Sequence, residues 1–209
     1  MFIKICGLNQ PSNIGDLEQL NFDLYGFIFV EKSPRNALSL IKSDIQQIPR
    51  NKRVAVFVNK AANEVLSICH QYGIDHVQLH GQESPSDCQL LRSAGLHIIK
   101  AFSISESFDF DKTSAYLGSV DYYLFDTAGK AAGGNGQIFD WELLKKYKGS
   151  TPFILSGGLG LENLSDIVSI RHNLLAGLDF NSKLEISPGF KDIQKCQQIN
   201  LINQPNESR

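Results

Sequence analysis

The sequence predicts an α/β fold, a single (β/α)8 TIM barrel, and three observations carry that expectation. Eight short apolar, β-rich runs recur along the 209 residues. Their starting points lie 21 to 32 residues apart, room for one strand, one crossover helix and two short loops, which parallel strands require. The length suits one domain. A doubly wound sheet would normally show about five or six strands. Neither GxGxxG nor GxxxxGK[ST] occurs, although GGNG at 133–136 and SGGLG at 156–160 superficially suggest such loops.

In chain order the runs start at Phe2 (FIKIC), Tyr25 (YGFIFV), Arg53 (RVAVFV), His76 (HVQLH), His97 (HIIKAF), Asp121 (DYYLF), Phe153 (FILS) and Leu175 (LAGLDF). Helical segments are expected between them, at 11–20, 38–48, 63–72, 86–94, 141–147, 161–170 and 192–202. NEVLSICHQY places Val65, Leu66, Cys69 and Tyr72 on one face, with Asn63 as the expected cap. The fifth interval, SISESFDFDKTSAYLGS, has poor helical periodicity, so the barrel is expected to be irregular at the fifth helix. Residues 1–202 read as the single barrel domain and 203–209 as a polar C-terminal tail.

Hydrophobic residues make up 42% and charged residues 20%, as in ordinary globular chains. A chain of this size buries roughly 70% of its unfolded surface, so neither disulfide nor metal is needed to hold it. The net charge of −2, with no Lys/Arg run, argues against nucleic acid as a partner. Cys6, Cys69, Cys88 and Cys196 lie far apart with no CxxC or Cys/His ligand spacing, which points to reduced thiols and no metal. The opening MFIKICGLNQ matches neither a signal nor a transit pattern, and no run approaches the length of a membrane span. A cytoplasmic protein with no membrane partner is expected.

In such barrels the active site forms at the C-terminal strand ends. Those ends carry Cys6-Gly7, Ser33-Pro34-Arg35, Asn59, His80-Gly81, Phe102, Asp126, Ser156-Gly157-Gly158 and Asp179-Phe180-Asn181-Ser182. A thiol, an imidazole and a lone carboxylate thus converge with two candidate phosphate loops. Gly157 and Gly158 allow close approach of backbone N–H groups, and Asn181-Ser182 adds N–H groups and a hydroxyl. Each candidate has a structural alternative. Cys6 could be a small buried hydrophobe, Asp126 a cap, Arg35 a solvated charge, and His80 and Gln78 structural groups; Gly157-Gly158 could be a tight turn.

Taken together, KICG at 4–7, SPR at 33–35, VFVN at 56–59, VQLHG at 77–81, FDT at 125–127, GGNG with FDW at 133–141, SGGL at 156–159, D-x-N-S at 179–182 and SPGFKD at 187–192 form an ordered series. This series resembles that of the phosphoribosylanthranilate isomerases of tryptophan biosynthesis. The resemblance implies an Amadori rearrangement of N-(5-phosphoribosyl)anthranilate to 1-(2-carboxyphenylamino)-1-deoxyribulose 5-phosphate. It implies Cys6 as general base, Asp126 as general acid, Arg35 as the partner of the anthranilate carboxylate, and the loops holding Gly157, Gly158, Asn181 and Ser182 as the phosphate site. His80 is read as substrate-facing. The partner implied is a small phosphorylated molecule, with no cofactor or metal, and the chain is expected to be a monomer or homodimer.

The chemistry asks for a proton delivered to the furanose ring oxygen and another removed from C2. A base of that kind calls for a site that favours thiolate, because a free thiol with a pKa of about 8.5 is mostly protonated at neutral pH. Asp126 must conversely hold a proton. Period-2 alternation puts Lys4 on the face of Cys6, one layer lower, with Ile3 and Ile5 facing the helices. Lys4 could stabilise the thiolate or pair with another barrel carboxylate. The Gly-rich stretch 129–141 reads as a flexible element over the site, with Phe139 and Trp141 packing the sixth helix. Departures from the family pattern are Asn135, Lys183, which could meet phosphate or solvent, and Gly160-Leu161, where Gly should cap less well than Asn. A sugar-phosphate epimerase would normally need a metal-ligand set or carboxylate pair that the strand ends lack, and a non-catalytic barrel would be favoured by loss of Cys6 or Asp126.

Overall fold

Eight parallel strands pair in chain order and close on themselves in the computed structural model, which describes residues 1–126 and 141–201. They are β1 (Phe2–Cys6), β2 (Leu24–Ile28), β3 (Arg53–Phe57), β4 (His76–Leu79), β5 (His97–Ser103), β6 (Tyr122–Asp126), β7 (Phe153–Ser156) and β8 (Leu175–Phe180). β8 returns to β1, with Lys4 opposite Asp179 in the register. The ring therefore has no free edge to protect.

Alternation along β1 sorts the core into two compartments. Ile3 and Ile5 belong to the large cluster between strands and helices, whereas Cys6 packs inside the barrel with Val54, Val56, Ile99, Ala101, Leu124 and Ile154. Lys4 shares the inner face of Cys6, as the period of two requires.

The outer layer is less regular than the strands. It contains α1 (Pro11–Glu18), α2 (Lys42–Ile45), α3 (Ala62–Tyr72), α4 (Pro85–Ser93), α5 (Leu164–Ser169) and α6 (Ile193–Asn200). The expected second helix shrinks to the four residues of α2. Asn63 lies inside the first turn of α3 rather than at its cap, which is Ala61 in extended conformation without a side-chain bond. The helix ends instead at Gly73, whose left-handed conformation closes it. α4 carries a capping box from Ser84 and Asp87.

The fifth interval is irregular as expected, a 3-10 segment over Phe110–Tyr116. The sixth, Trp141–Lys146, is also 3-10 rather than α-helical. Aromatic packing ties Phe110 of the fifth segment, and Tyr147 just past the sixth, to the sheet: Phe125 lies 5.4 Å from Phe110, 5.1 Å from Tyr147 and 4.8 Å from Phe153 of β7 between ring centroids. Such pairs add about 0.5–1.5 kcal/mol each beyond burial. Two further short strands, β9 (Glu185–Ser187) and β10 (Phe190–Lys191), form an antiparallel pair between β8 and α6 that the sequence pattern does not announce. Among the described residues no helix is long and apolar enough to cross a membrane.

Candidate active site

Cys6 ends β1 on the inner face and is almost fully buried. Space for its sulfur comes from Gly26, its register partner on β2, where a Cβ would lie 2.6 Å from Sγ. Beneath it the Lys4 ammonium, wholly buried, donates to Asp179 Oδ1 at 2.9 Å. Burial works to lower the Lys4 pKa, but Asp179 and Cys6 outweigh it and the net shift is upward, so Lys4 stays charged. Of the two alternatives for Lys4, the ion pair with a barrel carboxylate is the one the geometry shows. The expectation of a ready thiolate is not met. Burial raises the Cys6 pKa, Lys4 opposes it, Asp179 adds to the rise, and burial wins.

Asp126 ends β6, two residues past Leu124 and therefore on the same inner face. β6 and β1 are separated around the ring by β7 and β8, so thiol and carboxyl approach the barrel mouth from different sides. His80, just beyond β4, brings Nε2 to 3.3 Å from Asp126 Oδ2. Its other nitrogen, Nδ1, lies 3.0 Å from the amide of the buried Gln78. Gln78 therefore orients the ring that faces Asp126. Glu83 and Lys100 secure the surrounding loops: Glu83 accepts from the backbone of Asn59 at 2.8 Å and Gly81 at 2.9 Å, and Lys100 donates to Glu83 at 3.1 Å.

Arg35 reaches the same mouth, but it does not stand free. Its Nε donates to Glu185 Oε1 and Oε2 at 2.9 Å each, and Nη2 donates to Oε2 at 2.6 Å. Lys191 donates to Glu185 Oε1 at 2.8 Å and to Asn181 Oδ1 at 2.8 Å. Arg35 Cδ and Asn181 Oδ1 both crowd Gly7, where a Cβ would meet them at 2.9 and 2.7 Å. The Arg35 side chain and Asn181 of the β8 loop therefore both flank Gly7, the residue after Cys6.

After β7, Gly157 and Gly158 have φ of 98° and 66°, the left-handed region that side chains disfavour. Asn163 braces this loop by accepting from Gly160 N at 2.9 Å and donating to Gly158 O at 3.0 Å. That pair supplies what Gly160, lacking a side chain, does not. After β8, Asn181 lends its oxygen to Lys191, and the exposed Ser182 opens a short 3-10 turn. Lys183 pairs with Glu162 at 2.7 Å.

The proposed acid and base, with Arg35, His80 and the loops after β7 and β8, thus occupy one end of the barrel. The residues to which sequence reasoning gave no role are Asp179, Glu185 and Lys191. The first was named only as a carboxylate at the end of the eighth strand, and the other two lay within or beside the SPGFKD motif. The Gly-rich stretch, including Asn135 and Phe139, lies outside the described residues. Among the described residues no group of three or more His, Cys, Asp or Glu side chains could hold a metal ion.

The profile of the family described as N-(5'phosphoribosyl)anthranilate (PRA) isomerase matches residues 3–201. The chain is 45% identical over 208 residues to the N-(5'-phosphoribosyl)anthranilate isomerase of Parabacteroides distasonis, covering 98% of this chain and 93% of that protein. It is 42% identical to that of Phocaeicola vulgatus, with 92% of each covered. The phosphoribosyl anthranilate isomerase structure from Thermotoga maritima superposes with a TM-score of 0.81 at 29% identity, covering 97% of this chain and 98% of that one. A further relative, solved in complex with reduced 1-(o-carboxyphenylamino)-1-deoxyribulose 5-phosphate, has a TM-score of 0.78 at 27% identity, with 96% of each chain covered. Profile, relatives and barrel agree along nearly the whole length, and the chain belongs to the N-(5'-phosphoribosyl)anthranilate isomerase family.

Proposed function

We propose that this chain converts N-(5-phosphoribosyl)anthranilate to 1-(2-carboxyphenylamino)-1-deoxyribulose 5-phosphate, with Asp126 as general acid and Cys6 as general base. Asp126 gives a proton to the furanose ring oxygen as the C1–O bond breaks, and the anilino nitrogen lone pair forms the iminium. Cys6 then takes the proton from C2, and the C2–H electrons form the enolamine, which tautomerises to the ketone. Proton transfers of this kind supply about 10²–10⁴-fold each. The observation that carries the reading is the placement of Cys6 and Asp126 on the inner faces of β1 and β6, at the same end of the barrel.

Arg35 is the group for the anthranilate carboxylate, because a guanidinium offers planar, paired donors. His80, bonded toward Asp126, lines the sugar side. The backbone at Gly157 and Gly158, with Asn181 and Ser182, receives the 5′-phosphate, and its anionic ester suits N–H groups from these two loops. All these groups come from one chain, so the site is complete within a protomer, whether the chain is a monomer or a homodimer. Its four free, buried cysteines suit a reducing cytoplasm.

The purified chain is expected to abolish the fluorescence of N-(5-phosphoribosyl)anthranilate catalytically, and the Cys6→Ala and Asp126→Asn variants to lose that activity. Wild-type turnover no faster than that of the two variants would overturn the reading.

A further inference from the structure

We propose that Glu185 is a positioning residue that decides which edge of Arg35 is offered to the substrate. The proposal rests on the reading that Arg35 binds the anthranilate carboxylate. A guanidinium has two edges able to grip a carboxylate through paired donors, one through Nε and an Nη, the other through both Nη atoms. Glu185 occupies the first, taking Nε at 2.9 Å and Nη2 at 2.6 Å. Among the described residues Nη1 has no partner, so the second edge is the one left for a ligand.

Glu185 is not placed to give way to an incoming carboxylate. Its side chain is 4% exposed against 22% for Arg35. Its Oε1 also accepts from Lys191 Nζ at 2.8 Å and from Gly189 N at 3.0 Å. Lys191 is itself buried, and its backbone is clamped by Asn13, which accepts from its N–H at 2.7 Å and donates to its carbonyl at 3.0 Å. The chain of contacts runs from α1 through the β9–β10 pair to the guanidinium, and every link is backbone or a short bond.

Charge follows the same division of labour. Arg35 and Lys191 carry two positive charges and Glu185 one negative, so the cluster remains net positive by one. One ligand carboxylate neutralises it. Glu185 thereby holds the long Arg35 side chain in a single orientation while Lys191 prevents its charge from cancelling the attraction for the ligand.

The test compares two probes: reduced 1-(o-carboxyphenylamino)-1-deoxyribulose 5-phosphate and its anilino counterpart without the carboxyl group. Dissociation constants are measured by calorimetry for wild type, Glu185→Gln, Glu185→Gln/Lys191→Met and Arg35→Met. The wild type is expected to prefer the carboxylated probe. Loss of orientation in Glu185→Gln is expected to cut that preference by about tenfold to a hundredfold, with the anilino probe bound as before. The double variant leaves no unpaired buried ammonium, so it decides the matter should the single variant fail to fold. A preference kept or enhanced in the Glu185 variants, or both probes weakened equally, would overturn the proposal. Arg35→Met is expected to abolish the preference; if it does not, the reading of Arg35 as the carboxylate partner fails irrespective of Glu185.

Discussion

Lys4 Nζ lies 2.9 Å from Asp179 Oδ1, wholly buried one layer beneath Cys6, so the candidate base sits above an ion pair whose ammonium opposes the effect of burial on the thiol while its carboxylate adds to it. Burial wins, and the Cys6 thiol of the free protein is expected to titrate above the ordinary cysteine pKa of about 8.5. Lys4→Met removes the opposing charge. The pH midpoint for iodoacetamide reaction at Cys6 is expected to move higher still, and an unchanged midpoint would show that Lys4 does not act on the sulfur. The same variant leaves Asp179 buried without its partner, with an expected loss of about 3–5 kcal/mol in urea unfolding.

His80 touches the candidate acid directly, at 3.3 Å from Asp126 Oδ2. Asp126→Asn is expected to lower kcat by about 10²–10⁴-fold, the range for a removed acid or base. His80→Ala should lower kcat less, because it removes a neighbour of the acid and not the acid itself. Steady-state rates for the two variants side by side check this order, and a His80 loss equal to or above the Asp126 loss would assign the proton to the imidazole.

Gly26 faces the sulfur so closely that Gly26→Ala must push Cys6 or the β1–β2 pairing aside. Overpacking of this kind costs about 1–3 kcal/mol. Thermal unfolding is expected to report that loss, and kcat is expected to fall because the thiol is displaced.

At the opposite end of the barrel, His76 stacks on His97 with 4.8 Å between centroids, and its buried Nδ1 has no hydrogen-bond partner among the described residues. Burial, then the charge of His97, depresses the His76 pKa, while Asp75 and Asp121 counter only partly. The unfolded chain therefore binds more protons than the folded one. Stability is expected to be full above the unfolded histidine pKa of about 6.5 and to decline as pH falls from there through the lower folded value. Urea midpoints for wild type and His76→Gln across that window check the sign. The variant should show the shallower decline, and a parallel decline would clear His76 of the effect.

The strands were legible because each is a short apolar run whose alternation survives in one sequence, and the same alternation places Lys4 and Cys6 on one face. Cys6 and Asp126 were legible as residue types at strand ends that also fall within an ordered set of motifs. The outer layer was less so. Phe110 of the fifth segment and Tyr147, just past the sixth, pack on Phe125, contacts between distant residues that no local pattern records. The Arg35–Glu185 pair joins residues 150 apart, and Lys4–Asp179 joins residues 175 apart. Such pairings follow from ring closure and from the β9–β10 turn, so the charge on Arg35 could be read from the sequence while its partner could not.

Release of the C2 hydrogen tests the acid and base assignment most directly. With substrate deuterated at C2, wild type is expected to show a primary isotope effect in single turnover and to pass deuterium to solvent. Cys6→Ala is expected to release it at least about 100-fold more slowly while its fold, read by circular dichroism, is unchanged. Release by Cys6→Ala at the wild-type rate would contradict the account, because some other group would then be taking that proton.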